Sequence, residues 1–133
     1  MNDVENAVFT EIYDKLIIEF PDIFLSSEYV ASPPVFPAVS IVQIDNSMNE
    51  NYKDSSMIEK YSNVMFEINV YSNLKNNKKG EAKMINNMIS LILTRKGFTR
   101  VMSEPIPNIN SNTIYRIVSR YKATISGEKI YFN

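Results

Sequence analysis

The sequence predicts a single α+β domain in which a mostly antiparallel sheet of about four strands carries two helices on one face. The chain has 133 residues, the usual length of one domain, and 44% of them are hydrophobic, which suffices for one core. Short runs of alternating apolar residues indicate strands, and two longer runs at helical spacing indicate amphipathic helices. Residues 1–133 contain no internal repeat and no low-complexity tract, so one domain accounts for the whole sequence.

The first helix is predicted over residues 3–20. Asn2 or Asp3 can cap it, and Pro21 ends it. The apolar face is expected to be Val8, Phe9, Ile12, Tyr13, Leu16 and Phe20, with Glu11, Asp14, Lys15 and Glu19 facing outward. Residues 21–37 are interpreted as an irregular connection that packs against the domain, because they are rich in both proline and large apolar residues.

The first strand is predicted at residues 38–44 and is followed by a polar loop, residues 45–62, far longer than a hairpin turn requires. This loop has two interpretations: a mobile surface loop without a role, or a hairpin arm that becomes ordered against a neighbour. The second strand is predicted at residues 64–71. There, Val64, Phe66, Ile68 and Val70 alternate with Met65, Glu67, Asn69 and Tyr71, as in a half-buried strand.

The second helix is predicted over residues 81–96 and is expected to bury a broad face. Its stripe is Ala82, Ile85, Ile89 and Ile92, widened by Met84, Met88 and Leu91. Gly97 can supply the left-handed residue that ends many helices, and Phe98 is expected to pack back just after it. Residues 101–112 are predicted as loop, residues 113–125 as a long strand, and residues 129–132 as a short final strand.

The long strand has two chemically different faces. Tyr115, Ile117, Tyr121, Ala123 and Ile125 are expected to pack under the helices, whereas Ile114, Arg116, Val118, Arg120, Lys122 and Thr124 take the other side. A mixture of cations and aliphatic groups is typical of protein interfaces, although a solvated face is the alternative. The candidate interface residues are therefore Arg116, Arg120, Lys122, Ile114 and Val118, together with Glu67, Tyr52, Lys78 and Lys79. Glu67 is interpreted as a solvated or interface carboxylate rather than a catalytic one.

Charge is unevenly distributed along the chain. Residues 1–62 hold eleven acids and three bases, a net charge of −8, and residues 63–133 hold four acids and eleven bases, a net charge of +7. One interpretation is that these charges simply scatter over the folded surface. The other is a protein with one acidic and one basic surface, suited to packing against copies of itself.

Several function classes are excluded or disfavoured by composition. The chain has no cysteine and no histidine, which excludes disulfides, thiolate zinc sites and thiol catalysis and removes the commonest general base. No phosphate-binding glycine loop is present, because Lys78-Lys79-Gly80 lacks the Walker pattern, and no DxDxDG calcium loop appears. No apolar run is long enough to span a membrane, and the acidic, polar N-terminus indicates synthesis in the cytoplasm.

Nucleic acid is not favoured as the primary ligand. Lys75, Lys78, Lys79 and Lys83 cluster at the start of the second helix, and a second group of bases lies on the long strand. However, the strand's tyrosines lie on the face opposite its bases, and the sequence pI is near 5.5.

The order of elements, together with five stretches, resembles the tail terminator proteins of tailed phages and of phage-tail-like bacteriocins. These proteins are also called tail completion or minor capsid proteins. The stretches are the opening helix, residues 4–20; Phe36-Pro37-Ala38-Val39 at the start of the first strand; the strand at residues 64–71; the helix at residues 81–95; and the run from Arg116 to Ile125.

The resemblance implies a structural subunit rather than an enzyme, with no cofactor and no small-molecule substrate. Such subunits assemble as a ring, usually a hexamer, on the head-proximal end of the tail tube. There the ring stops tube growth and provides a docking face for the neck, so tail tube, sheath and neck proteins are the implied partners. The implied location is the bacterial cytoplasm during assembly and then the virion or tail particle. The alternatives are a head completion or neck protein of the same kind of particle, and a small enzyme that uses carboxylates alone.

Overall fold

Two helices and six strands make up the described part of the chain in a computed structural model, which covers residues 4–30, 32–48, 62–106, 113–126 and 129–131. In chain order they are α1 (Glu5–Glu19), β1 (Phe24–Ser26), β2 (Ala38–Met48), β3 (Ser62–Ser72), α2 (Lys78–Arg95), β4 (Thr99–Ile106), β5 (Tyr115–Ser126) and β6 (Lys129–Tyr131). The α+β class predicted from the sequence is confirmed. The predicted number of strands was too small, since β1 and β4 were not expected.

All strands belong to one mixed sheet with the order β1-β2-β3-β5-β4. β1 runs parallel to β2, and the remaining pairs are antiparallel. β6 pairs with the last residues of β5 and continues the edge that β4 occupies, because β3 already lies along the other edge. Since β3 and β4 are both antiparallel to β5, they run parallel to each other, and α2 provides the crossover between them.

The edge strand β4 was not predicted from the sequence, because its side chains are mostly exposed. Residues 101–112 were predicted as loop, yet Thr99–Ile106 forms an edge strand that is mostly exposed. Its side chains therefore do not alternate between apolar and polar, and the period-2 pattern is absent. Pro105 is also compatible with a strand at a sheet edge, where a missing N–H can face away from the ladder. A bulge between Arg100 and Met102 further disturbs the alternation.

The connection at residues 21–37 is more ordered than predicted, because it contains β1. The Phe24 N–H donates a hydrogen bond to the Pro37 carbonyl at 3.0 Å, and Ile23 and Pro33 are buried. The expectation that this connection packs against the domain is therefore confirmed in part, since Tyr29 and Val35 remain 55% and 47% exposed.

The β2–β3 ladder extends farther than the predicted strands. It reaches the pair Met48–Ser62, with a bulge between Gln43 and Asp45. Residues 45–48 and residue 62, which were predicted as loop, thus belong to the two strands. Residues 49–61, including Tyr52, lie outside the described residues. The two interpretations of this segment, a surface loop without a role and a hairpin arm, therefore stay predictions.

Both helices share one hydrophobic core with one face of the sheet. α1 contributes Val8, Ile12 and Leu16, while Phe66 and Tyr121 are among the fully buried residues of the sheet. The residue before α1 is Val4, which gives no side-chain cap, and the predicted caps Asn2 and Asp3 lie outside the described residues. Tyr13, predicted on the buried face, is 41% exposed.

The buried face of α2 is partly as predicted. Ala82, Ile85, Ile89 and Ile92 are buried, but Met84 and Leu91 are 55% and 52% exposed, so they do not widen the stripe. Asn86 and Leu93 widen it instead, on the opposite flank. Hydrophobicity predicted the wrong flank, because the polar residue Asn86 occupies a buried position while the apolar residues Met84 and Leu91 are exposed. Met88 packs at the margin of the core, and the helix begins at Lys78, three residues earlier than predicted.

The end of α2 has the hydrogen bonds of a Schellman motif. The Phe98 N–H donates to the Leu93 carbonyl at 3.0 Å, and the Gly97 N–H donates to the Thr94 carbonyl at 3.1 Å. Gly97 has φ of 103°, a conformation that costs a residue with a Cβ atom about 1–2 kcal/mol. Phe98 is buried and meets the ring of Phe66 edge-on at 5.7 Å between centroids. The predicted roles of both residues are confirmed.

The two flanks of α2 allow a matched stability test. Replacing the fully buried Ile89 with alanine removes core contacts and should lower the free energy of unfolding by about 2–5 kcal/mol. Leu91→Ala, on the exposed flank, should change it by less than about 0.5 kcal/mol. Urea unfolding followed by circular dichroism measures both. Equal losses in the two variants would contradict the assigned helix face.

Candidate subunit interface on the outer sheet face

The two faces of β5 are divided as the sequence predicted. The Ser119 hydroxyl donates to Asn86 of α2 at 2.9 Å, which places the helices on the side of Ser119, Ile117 and Tyr121. Alternate residues point the other way, so Arg116 and Arg120 lie on the face without helices. This surface is called the outer face below. Its members on β3 and β5 are Asn63, Met65, Glu67, Asn69, Tyr71, Arg116, Val118, Arg120, Lys122 and Thr124.

Four polar side chains on the outer face form a continuous chain of hydrogen bonds across β3 and β5. Arg116 donates to Asn69 Oδ1 through Nε at 3.0 Å and through Nη2 at 2.7 Å. Asn69 Nδ2 donates to Glu67 Oε1 at 3.3 Å, and Glu67 Oε2 accepts from Arg120 Nε at 3.0 Å. The Arg120–Glu67 ion pair also has Nη2 2.9 Å from Oε2. The cationic face expected from the sequence is therefore partly neutralised within the subunit.

Arg116 also fastens the connection at residues 21–37 to one end of the outer face. Its guanidinium carbon lies 5.8 Å from the ring centroid of Tyr29 and 5.6 Å from that of Tyr71, within cation–π range. The Tyr71 hydroxyl donates to the Val30 carbonyl at 3.1 Å. Tyr71 and Asn69 are fully buried although they lie on the face without helices. The connection at residues 21–37 thus covers one end of the outer face.

Burial raises the pKa of Tyr71 above its ordinary value of 10.0, and the nearby Arg116 charge opposes that rise in part. Tyr71 therefore keeps its proton at neutral pH and donates it to the Val30 carbonyl. The hydroxyl acts as an anchor for the chain rather than as an acid or base.

The structure brings together most of the predicted interface residues, but their exposures differ. Lys122 is exposed and has no ion-pair partner within the described part of the chain. Val118 is only 7% exposed, and Ile114 is half-buried just before β5 begins. The two aliphatic residues therefore offer little area to a partner. The exposed end of the outer face is mainly Arg120 and Lys122.

Two other predicted residues lie elsewhere, and one lies outside the description. Lys78 and Lys79 occupy the first turn of α2, on the helical side of the sheet, so they do not belong to the outer face. Tyr52 falls among residues 49–61, outside the described ranges. Sequence reasoning missed Asn69 and Tyr29. The only signal was an amide inside an otherwise apolar strand, which suggests a buried hydrogen-bonding role.

The charge separation along the sequence becomes a separation in space. α2 contacts β3, β5 and β4, and α1 lies beside α2 and leads directly into β1 at the opposite edge of the sheet. Among described side chains, those up to residue 48 include seven acids and one base, a net charge of −6. Those from residue 62 to residue 125 include three acids and ten bases, a net charge of +7. One side of the subunit is acidic and the other is basic.

The carboxylate and amide of the outer face are paired with the arginines of the same face. The described residues contain no group of three or more His, Cys, Asp or Glu side chains that could hold a metal ion. Glu67, the carboxylate inside β3, accepts hydrogen bonds from both Asn69 and Arg120. Such an arrangement orients side chains and sets local charge, which suits recognition of another protein surface.

In comparisons with known proteins, no protein-family model matches this sequence, and no curated protein matches it either. Within the described residues, neither helix is long and apolar enough to cross a membrane.

The anchor at Tyr71 predicts a pH dependence of stability. A pKa raised in the folded state means that the unfolded chain loses this proton first, so the contribution to stability is complete below about pH 10 and is lost as the pH rises above it. Tyr71→Phe should remove this alkaline loss and also cost about 1 kcal/mol at neutral pH, because the bond to Val30 is gone. Urea unfolding at several pH values between 8 and 11 measures both effects. Parallel curves for the two proteins would contradict the assignment.

Proposed function

We propose that this protein is a structural subunit of a phage tail or tail-like particle that forms a ring on the head-proximal end of the tail tube. The ring ends tube growth and offers a docking face to the neck. The observation that supports this proposal most directly is the charge polarity of the subunit, with an acidic side at α1 and β1 and a basic side at α2, β4 and β5. The resemblance described from the sequence supplies the kind of particle.

Charge polarity of this kind favours head-to-tail association. When two different patches on one chain are complementary, each subunit can bind the next through the same contact, and the assembly closes if the rotation between subunits permits it. An acidic side that meets the basic side of a neighbour attracts it, whereas like sides repel. Charge thus selects the head-to-tail arrangement over a symmetric dimer.

The exposed end of the outer face belongs to the basic side. Lys122 on β5 lies opposite Thr99, the first residue of β4, and Arg120 is next to it on the same face. Arg120 retains 47% exposure of its side chain while it binds Glu67, so its guanidinium remains available to a second carboxylate. Arg116, by contrast, is occupied by Asn69, Tyr29 and Tyr71. A reversal of charge at Arg116 would disturb the subunit itself, so Lys122 is the better residue for testing assembly.

The direct experiment is to measure the mass of the purified protein by light scattering after size exclusion, alone and with tail tube protein, and to image it by negative stain. Rings with a central hole on tube ends are expected. Assembly should weaken as salt rises, because exposed charges are screened. A strict monomer under all these conditions, with no ring on tail particles, would rule out the proposal.

Charge reversal at Lys122 tests the basic side. Lys122→Glu should leave the fold intact, since this side chain is exposed, and should weaken assembly by at least about tenfold because it brings like charges together. Lys15→Glu is the matched control. It makes the same change of charge on the exposed surface of α1, where it strengthens the acidic side, and should not weaken assembly. Equal weakening by the two variants would argue against contact between the acidic and basic sides.

A further inference from the structure

A polar groove runs between α2 and the edge strand β4. Its volume is about 320 Å³, and it is lined by residues of α2, β4 and β5, among them Lys83, Asn86, Arg100, Ser103 and Glu104. It lies on the helical side of the sheet, away from the outer face. This groove is called the polar groove below.

Three hydrogen bonds, one of them buried and two part-buried, fix one wall of the polar groove. Asn86 Nδ2 donates to Ser103 Oγ at 3.2 Å, Ser119 Oγ donates to Asn86 Oδ1 at 2.9 Å, and the two serine oxygens lie 2.8 Å apart. Because each hydroxyl has one proton, Ser119 gives its proton to Asn86 and Ser103 gives its proton to Ser119. The three groups form a closed cycle that joins α2, β4 and β5. The groove is therefore preformed, which reduces the cost of binding.

The two cations of the polar groove form no ion pair among the described residues. Both of them, Lys83 and Arg100, are exposed. Glu104 also belongs to the lining, but it lies opposite Val118 of the outer face, so its carboxylate points away from the groove. Two unpaired cations beside a preformed polar wall suit a carboxylate ligand, since Arg and Lys bind carboxylates through charge-assisted hydrogen bonds.

A complementary feature lies at the opposite edge of the sheet. α1 ends with Glu19 in its last turn and Asp22 just beyond it, and no base occupies that last turn. Acids at this end face the negative pole of the helix dipole, which is unfavourable within the isolated subunit. Both side chains are exposed, and neither pairs with a base among the described residues. Residues 19–22 are called the acidic turn below.

We propose that the polar groove of one subunit binds the acidic turn of the next copy of this chain. This proposal rests on the proposed ring assembly, and it specifies which two surfaces of neighbouring subunits meet in the ring. The two features cannot meet within one copy: α1 leads into β1, and β1 and β4 are separated by four strand spacings, roughly 19 Å. Pairing between copies would place Glu19 and Asp22 against Lys83 and Arg100. It would therefore relieve the unfavourable charge at the end of α1.

The edge of β4 favours contact through side chains over extension of the sheet. Pro105 removes one backbone donor from this strand, and the bulge at Arg100–Met102 interrupts its regular edge. A neighbouring strand would find few regular hydrogen-bonding sites there. Side chains that enter the adjacent groove need no such register.

Complementary charge reversal tests the contact. One variant carries Lys83→Glu with Arg100→Glu, and the other carries Glu19→Lys with Asp22→Lys. Alone, each should lose assembly by at least about tenfold, because each brings like charges together. Mixed in equal amounts, they should assemble again, since every contact in an alternating oligomer then pairs opposite charges. Light scattering of each protein and of the mixture reads out the result. Asp14→Lys with Glu28→Lys is the matched control, with the same change of charge on the acidic side but outside the acidic turn.

Assembly by both reversed variants alone, or no recovery in the mixture, would overturn this contact. If wild-type rings form in that case, the proposed function survives and the interface lies elsewhere.

Engineered disulfide crosslinking tests the contact between the polar groove and the acidic turn even if the wild-type chain stays monomeric. The chain has no cysteine, so Asp22→Cys with Arg100→Cys introduces only the intended pair. Head-to-tail contact predicts a ladder of crosslinked oligomers under mild oxidation, whereas either single variant can form at most a dimer. Only monomer and dimer from the double variant would refute the contact.

Discussion

The structure depends on β5, an internal strand of the sheet that has neighbours along both of its edges. This strand pairs with β3 along one edge and with β4 and β6 along the other, so its register is fixed from both sides. Because successive side chains point to opposite faces, this register decides which residues enter the core and which reach the outer face. Tyr121 and Ile117 are buried under the helices for the same reason that Arg120 and Lys122 are exposed. A slip of one residue would exchange the two sets.

The polar groups of this fold specify its geometry on both faces of the sheet. Under α2, the cycle of Asn86, Ser103 and Ser119 joins a helix to the edge strand β4, which has few buried apolar side chains of its own. On the outer face, Arg116 joins β3 to the connection at residues 21–37. A buried polar group that loses its partner costs more than an apolar contact gains, so these bonds fix positions that hydrophobic packing alone would leave open.

Sequence patterns were sufficient where one face of an element is apolar and the other polar. The alternation in β3 and β5, the stripe at Ile85 and Ile89, and the end of α2 at Gly97 were all predicted correctly. β4 was missed because an exposed edge strand has no apolar face to show. β1 was missed because three residues are too few for a periodic pattern. The candidate interface residues of β3 and β5 were predicted to share one face of the sheet, and the structure places them together on the face without helices. The pairing of the outer-face arginines with Glu67 and Asn69 depends on which residues of β3 and β5 become neighbours in the sheet. Residue periodicity does not contain that information.

The insertion of β5 between β3 and β4 has a consequence for how the protein folds during synthesis. β3, α2 and β4 leave the ribosome first, but β3 and β4 do not touch, because the place between them belongs to a strand not yet made. Until residues 115–126 have been synthesised, the sheet lacks the strand that joins β4 to β3. Pairings of this kind close large loops and are slow to form. The incomplete chain therefore leaves the inner edges of β3 and β4 unpaired, and this is the stage at which a chaperone would protect it most effectively.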